Sequence, residues 1–195
     1  VGAGWRVNKE SFLENVKFVN DFKIRGSYGE VGKDQNFTNS ALSFYAYQSL
    51  YNLGYNNATE AGILLGLVSD PNITWETNKQ FDIGVDFAFL NNRISGSVEY
   101  YKRSTTDLIF AVPTPVSGGV PGNSIYTNVG DMFNKGIEAT LNLAVIKKND
   151  FGWDLTANAS TIKNELTRLP DGQTQIISGN KKLMVGHSIY DYWRS

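Results

Sequence analysis

Asp82 and Asp86 share one alternating run of this 195-residue chain, and paired carboxylates are the usual equipment of general acid–base and glycosidic chemistry. Their spacing argues against that use, because they stand two pleats apart on one strand. His187 is the only histidine and cysteine is absent, so neither a metal site nor a Ser-His-Asp arrangement can be assembled with conviction. No Gly-rich phosphate loop precedes a helix. No catalytic, metal or cofactor site is therefore expected. Two other groups of residues are better suited to binding. Lys23, Arg25, Asp82, Asp86, Glu99, Tyr101 and Glu138 occupy the polar side of alternating runs, where they would touch a polar ligand or merely solvate a wall and pair across strands. Tyr45, Tyr47, Tyr51 and Tyr55 lie in a long irregular stretch, where rings either stack on sugars and partner surfaces or pack the loop on its neighbours.

The element that must position the first group is the stretch from Lys79 to Arg103, KQFDIGVDFAFLNNRISGSVEYYKR. It reads as two strands joined by Asn91-Asn92, since Asn tolerates the positive φ that two-residue hairpin turns require. Pairing Leu90 with Arg93 sets Phe89, Phe87, Val85, Ile83 and Phe81 on one face with Ile94, Gly96, Val98, Tyr100 and Lys102. Asp82, Asp86 and Glu99 fall on the other. One register thus separates apolar from charged residues. Each arm has about a dozen residues, longer than the usual strand of about five or six. A strand crossing a bilayer needs about 9–11, alternating lipid-facing and lumen-facing. Half of a two-layer soluble sheet remains the competing reading.

Alternation recurs along the chain. Val1 to Asn8 and Asp21 to about Glu30 read as strands, separated by a short helical turn within Lys9 to Val19 that Asn8 could cap. Ile137 to Val145 and Phe151 to Ser160 form a second hairpin around Lys147 to Asp150, with Val145 expected opposite Trp153, Leu143 opposite Leu155 and Leu141 opposite Ala157. About six antiparallel strands result. Between them, Lys33 to Trp75 and Pro113 to about Asp131 read as long irregular segments, the first holding small strands within Leu42 to Tyr51 and Ile63 to Val68. The end from about Glu165 reads as loop.

A net charge of -1 and a pI of about 5.9 give no reason to expect nucleic acid. No apolar run is long enough for a transmembrane helix, and mean hydropathy is -0.29, a value compatible with strands of which only alternate residues meet lipid. Short or compact connections fall at one end of the strands and long ones at the other, as in membrane barrels. Phe87, Phe89, Phe151 and Trp153 sit near the short turns, where an interfacial girdle belongs. A soluble β-sandwich serving as a carbohydrate-binding or adhesin module is the alternative. It requires Phe81, Ile83, Val85 and Phe87 to face a second sheet.

PNITWETNKQFDIGVDFAFLNNRISGSVEYYKRSTTDLIF (Pro71 to Phe110), FKIRGSYGEVG (Phe22 to Gly32), NVGDMFNKGIEATLN (Asn128 to Asn142), VGHSIYDY (Val185 to Tyr192) and GWRVNKESF (Gly4 to Phe12) together resemble the barrel of SusC/RagA-type TonB-dependent outer-membrane transporters. The resemblance runs in the family's order over almost the whole chain and is to a late portion of the barrel. It implies a barrel of about 22 strands closed by an N-terminal plug, in the outer membrane of a Gram-negative bacterium. It implies import of oligosaccharides or peptides, energised through the plug region by the inner-membrane TonB complex. A SusD-type surface lipoprotein would act as lid. No plug is expected within residues 1–195, which read as one partial barrel domain. In that setting Lys23, Arg25, Asp82, Asp86, Glu99, Tyr101 and Glu138 would face the lumen, and the four tyrosines the substrate or the lid. Such a section should transport nothing by itself.

Overall fold

A computed structural model describes residues 1–13, 16–33, 47–54, 60–169, 172–178 and 181–192. Among the described residues eleven strands follow one another: β1 (Gly2–Arg6), β2 (Val19–Lys33), β3 (Leu50–Leu53), β4 (Ile63–Leu67), β5 (Glu76–Phe89), β6 (Ile94–Pro113), β7 (Ser124–Lys147), β8 (Gly152–Ser160), β9 (Lys163–Arg168), β10 (Gln175–Ser178) and β11 (Lys181–Met184). A sheet in the order β1-β2-β5-β6-β7-β8 contains the six expected strands, and β9 joins it as a seventh by pairing with β7. The chain divides into two compact units, one of Val1–Glu30, Lys79–Ser104 and Phe133–Asn164, the other of Val31–Asn78, Thr105–Met132 and Glu165–Ser195.

The first unit is sheet. Its central hairpin turns at Leu90 to Arg93, where the Arg93 N–H donates to the Leu90 carbonyl and Asn91 and Asn92 take φ of 56° and 60°. Both asparagines do what their type allows. Leu90 is also left-handed, at φ 54°, a strain its sequence does not announce. In the second hairpin Leu143 faces Leu155 and Leu141 faces Ala157 as expected. Trp153 instead faces Ile146, because a bulge between Ala144 and Ile146 takes Val145 out of the pairing.

Residue type separates the two faces of this sheet, and much of the apolar face is open. Phe81 is 43% exposed and Ile83 45%, and Val98, Ile137, Leu141, Val145, Trp153 and Leu155 are likewise open, while Val85 and Phe87 are half-buried. A sandwich would bury that set under a second sheet. Val7 is the one buried hydrophobic residue among those described in this unit. Phe87 and Phe89 stack with centroids 5.4 Å apart, and Phe18 meets Phe89 at 6.2 Å, so rings do gather near the turn. The helical turn expected after Lys9 is replaced by a 3-10 turn at Val7–Lys9, followed by successive reverse turns. Asn8 caps nothing there, and its amide donates to the Asn20 carbonyl across 3.0 Å.

The second unit holds the antiparallel β3–β4 and β10–β11 hairpins. Leu166, Leu169 and Ile176 are buried against Leu108, Met132, Leu183 and Ile189, forming an apolar cluster. The sequence reading needs two corrections here. The irregular segment after Pro113 is shorter than expected, because β7 begins at Ser124, and the tail is not loop, because it carries β9, β10 and β11. Alternation in those strands is short or interrupted by polar residues, so periodicity gave little warning.

Candidate functional site

Arg25 organises the polar face of the first unit. β2, β5 and β6 are neighbours in the sheet, so residues far apart in sequence meet across it. The Arg25 Nε donates to both Asp86 carboxylate oxygens at 3.2 and 3.3 Å, and its Nη2 donates to Glu99 Oε2 at 2.5 Å. Gly84 makes room, since a Cβ there would lie 3.2 Å from the guanidinium carbon. Beside this cluster Asp82 accepts from Ser27 Oγ at 3.1 Å and from Gln80 Nε2 at 2.9 Å. Two carboxylates engaged by one guanidinium are acceptors already in use, not a shared-proton pair. The strip suits the docking of polar or cationic groups rather than proton transfer.

The other predicted polar residues lie apart from this cluster. Lys23 pairs with Arg6 in the β1–β2 register, its stem 3.0 Å from where a Gly4 Cβ would stand. The Tyr101 hydroxyl lies against Gly136, within 2.8 Å of a Cβ placed there. Glu138 is exposed opposite Ser160 and borders a shallow cleft with Thr140 and Asn158. Of the four tyrosines, Tyr47 is 51% and Tyr51 63% exposed, Tyr51 on β3, whereas Tyr45 and Tyr55 lie outside the described residues. His187 Nδ1 sits 3.3 Å from Asp191 Oδ2, and no cluster of metal-ligating side chains occurs among the described residues.

Sequence reasoning missed a second network, in the second unit. Asp107 interrupts β6 with φ 55°. Its N–H donates to Asp131 Oδ1 at 3.1 Å, and its carbonyl accepts from Asn128 Nδ2 at 2.6 Å. Asn128 also exchanges hydrogen bonds with the Thr74 backbone, at 2.7 and 2.9 Å. Arg168 binds Asp131 through Nε at 2.6 Å and Nη2 at 3.0 Å, and Asp107 at 3.1 Å. The Arg168 hydrogen bonds hold the Asp131 carboxyl below the usual carboxylate range, against an upward push from partial burial; the Asp107 N–H adds to the lowering. This part of β7 lies outside the stretch bearing the exposed apolar face. Adjacent to it, Leu108, Phe110, Val129, Met132, Leu183 and Ile189 line an apolar cavity of about 360 Å³.

The string NVGDMFNKGIE now has a physical account. Asn128 and Asp131 hold the Asp107 irregularity, and Asn134 accepts from Asn164 at 2.7 Å. Gly130 and Gly136 lie so close to the carbonyls of Arg168 and Thr161 that a Cβ at either would overlap an oxygen. The glycines were the available cue, as close-approach positions within an otherwise regular strand.

Comparison with known proteins places the whole chain. The model of a family described as "TonB dependent receptor-like, beta-barrel" matches residues 1–194. The TonB-dependent receptor P26 of Formosa agariphila is 33% identical over 201 residues, covering 97% of this chain and 19% of that protein. The TonB-dependent receptor SusC of Bacteroides thetaiotaomicron is 35% identical over 179 residues, covering 88% of this chain and 17% of its own length. Among solved structures, the RagAB peptide transporter superposes with a TM-score of 0.79 at 26% identity, over 95% of this chain and 20% of the transporter chain. The chain thus spans about a fifth of the length of these relatives.

Proposed function

The chain belongs to the TonB-dependent receptor β-barrel family, and from that premise we propose that it forms one section of the wall of an outer-membrane nutrient importer. Glycans or peptides are its substrate class. The observation that carries this reading is the two-faced sheet: apolar side chains such as Phe81, Ile83, Leu141 and Leu155 stay open on one side while Arg25 binds Asp86 and Glu99 on the other. Lipid is the solvent that favours such an apolar face, and a watery lumen the polar one. The remaining strands and a plug would complete the barrel around Lys23, Arg25, Asp82, Asp86, Glu99, Tyr101 and Glu138. The TonB complex would act through that plug. Tyr47 and Tyr51, with Tyr45 and Tyr55 from the same stretch, would meet substrate or a SusD-type surface lipoprotein. The role is transport, with no catalytic step.

Cysteine scanning of the complete transporter in intact outer membranes tests the assignment of faces. Asp86→Cys and Glu99→Cys should react with a water-soluble maleimide, and Ile83→Cys and Leu141→Cys should stay unlabelled until detergent is added. The reverse pattern would refute the proposed orientation. Loss of growth on a single glycan or peptide source in a strain lacking the transporter, restored by the intact gene, would name the substrate.

A further inference from the structure

Along the β7–β8 hairpin the polar face carries a field of short hydrogen-bonding side chains. The register sets Glu138 opposite Ser160, Thr140 opposite Asn158 and Asn142 opposite Thr156, all within the first unit. Thr156 Oγ1 donates to Asn142 Oδ1 at 2.9 Å. Among the described residues, the side chains of Glu138, Thr140, Asn158 and Ser160 have no hydrogen-bond or ion-pair partner. These four border a shallow cleft of about 390 Å³. Asp154, opposite Ala144, closes the far end of the field. Neither strand carries a Lys or Arg from Glu138 to Val145 or from Asp154 to Ser160. Tyr101, whose hydroxyl lies against Gly136, flanks the field two residues from Glu138.

The contrast with the Arg25 cluster is chemical. There the carboxylates are engaged by a guanidinium, and here donors and acceptors stay open. Hydroxyl and carboxamide groups each donate and accept, so a matching ligand must do both at short intervals. Same-face residues stand about 6.7 Å apart along a strand, and partners across the pair about 4.5–5.5 Å. Ser160 to Thr156 therefore offers about 13 Å of such groups, length for more than one sugar ring. A polyol meets the requirement. A sulfate or carboxylate only accepts, and it meets Glu138 at one end and Asp154 at the other, with no cation between. An apolar group leaves the open donors and acceptors unmatched. A peptide brings a terminal carboxylate that both acids repel.

We infer that the polar face of the β7–β8 hairpin is a contact site for neutral glycan chains, held by Thr140, Asn158, Ser160 and Glu138, and that it selects against anionic glycans. This rests on the wall reading and narrows its substrate class. Thr140, Asn158 and Ser160 exchange hydrogen bonds with sugar hydroxyls, and the Glu138 carboxylate accepts from neighbouring hydroxyls of one ring.

The test is calorimetric titration of the complete transporter in detergent with four pools matched in length: neutral, uronate-bearing and sulfated oligosaccharides, and peptides. The neutral pool should bind more tightly than either anionic pool by about tenfold or more. Thr140→Val, which keeps the side-chain shape, and Asn158→Leu should each weaken the neutral pool about fivefold per hydrogen bond lost. Leu155→Met, on the apolar side of β8, should change nothing. Glu138→Gln combined with Asp154→Asn should narrow the gap between neutral and anionic pools. Tightest binding by peptides, equal binding of neutral and sulfated pools, or indifference to Thr140→Val and Asn158→Leu would overturn the proposal. A nitroxide on Asn142→Cys separates this failure from that of the wall reading. Collision with a water-soluble nickel chelate shows the open, wet face that the site requires. Collision with oxygen alone puts the face in lipid and sinks the wall reading. Collision with neither means that protein covers the face, which removes the glycan site and leaves the wall standing.

Discussion

At the scale of single residues, the two ion clusters differ in what they predict. Arg25 is the common partner of Asp86 and Glu99, and all three side chains are about one-third exposed. Replacing Arg25 by Gln removes the cation and leaves two carboxylates facing each other. A destabilisation of about 1 kcal/mol is expected after allowance for solvent screening. Adding Asp86→Asn and Glu99→Gln should recover most of it, as read from the denaturant midpoint of the refolded barrel. Asp131 gives a pH signature. Its folded pKa is depressed by Arg168, so its contribution is fully present above the unfolded value of about 3.9 and is lost as pH falls through the lower folded value. Arg168→Gln should flatten that acid limb of the stability profile. Neither cluster was legible as a cluster. The residues were visible as polar positions on alternating runs, but Arg25 lies 61 and 74 residues from its partners, and only the pairing of β2 with β5 brings them together.

At the scale of elements, what periodicity and turn chemistry determine was readable and what depends on close approach was not. The central hairpin could be placed from Asn91-Asn92 because the alternation on both sides of it agrees on one register. The Val145 position failed because a bulge costs one residue of register and leaves no mark in an apolar run. The glycines of β7 test this distinction. Gly136→Ala should destabilise by more than about 1–3 kcal/mol, since backbone rather than a flexible side chain occupies the space its Cβ needs. Gly29→Ala, whose Cβ would meet nothing within 4 Å, should cost little or stabilise. Leu90→Gly should be neutral or stabilising despite removing a large side chain, because it relieves a left-handed φ of 54°. Unfolding midpoints of the three variants rank them directly.

At the scale of the whole molecule, the open apolar face decides how the chain behaves. All nine residues of β8, the last strand on the sheet's path, are exposed on both faces. Such an edge templates further pairing. In lipid each unmatched backbone group costs several kcal/mol, so the partner strands of a closed barrel stabilise this section strongly. Expressed by itself without detergent, residues 1–195 should aggregate, and a monomeric cooperative transition in buffer would contradict the wall reading. A sharper prediction uses depth. Leu141 lies midway between Ile137 and Val145 on the apolar side of β7, so Leu141→Arg in the complete barrel should cost about 2–4 kcal/mol. Val145→Arg, beside the turn, should cost about 0–1 kcal/mol, and Thr140→Arg, on the polar side, equally little. A soluble sheet covered by a partner layer would instead make Val145→Arg as costly as Leu141→Arg, because burial there has no depth axis. The gradient from Leu141 to Val145, measured by reversible unfolding in phospholipid vesicles, separates a bilayer from any protein surface.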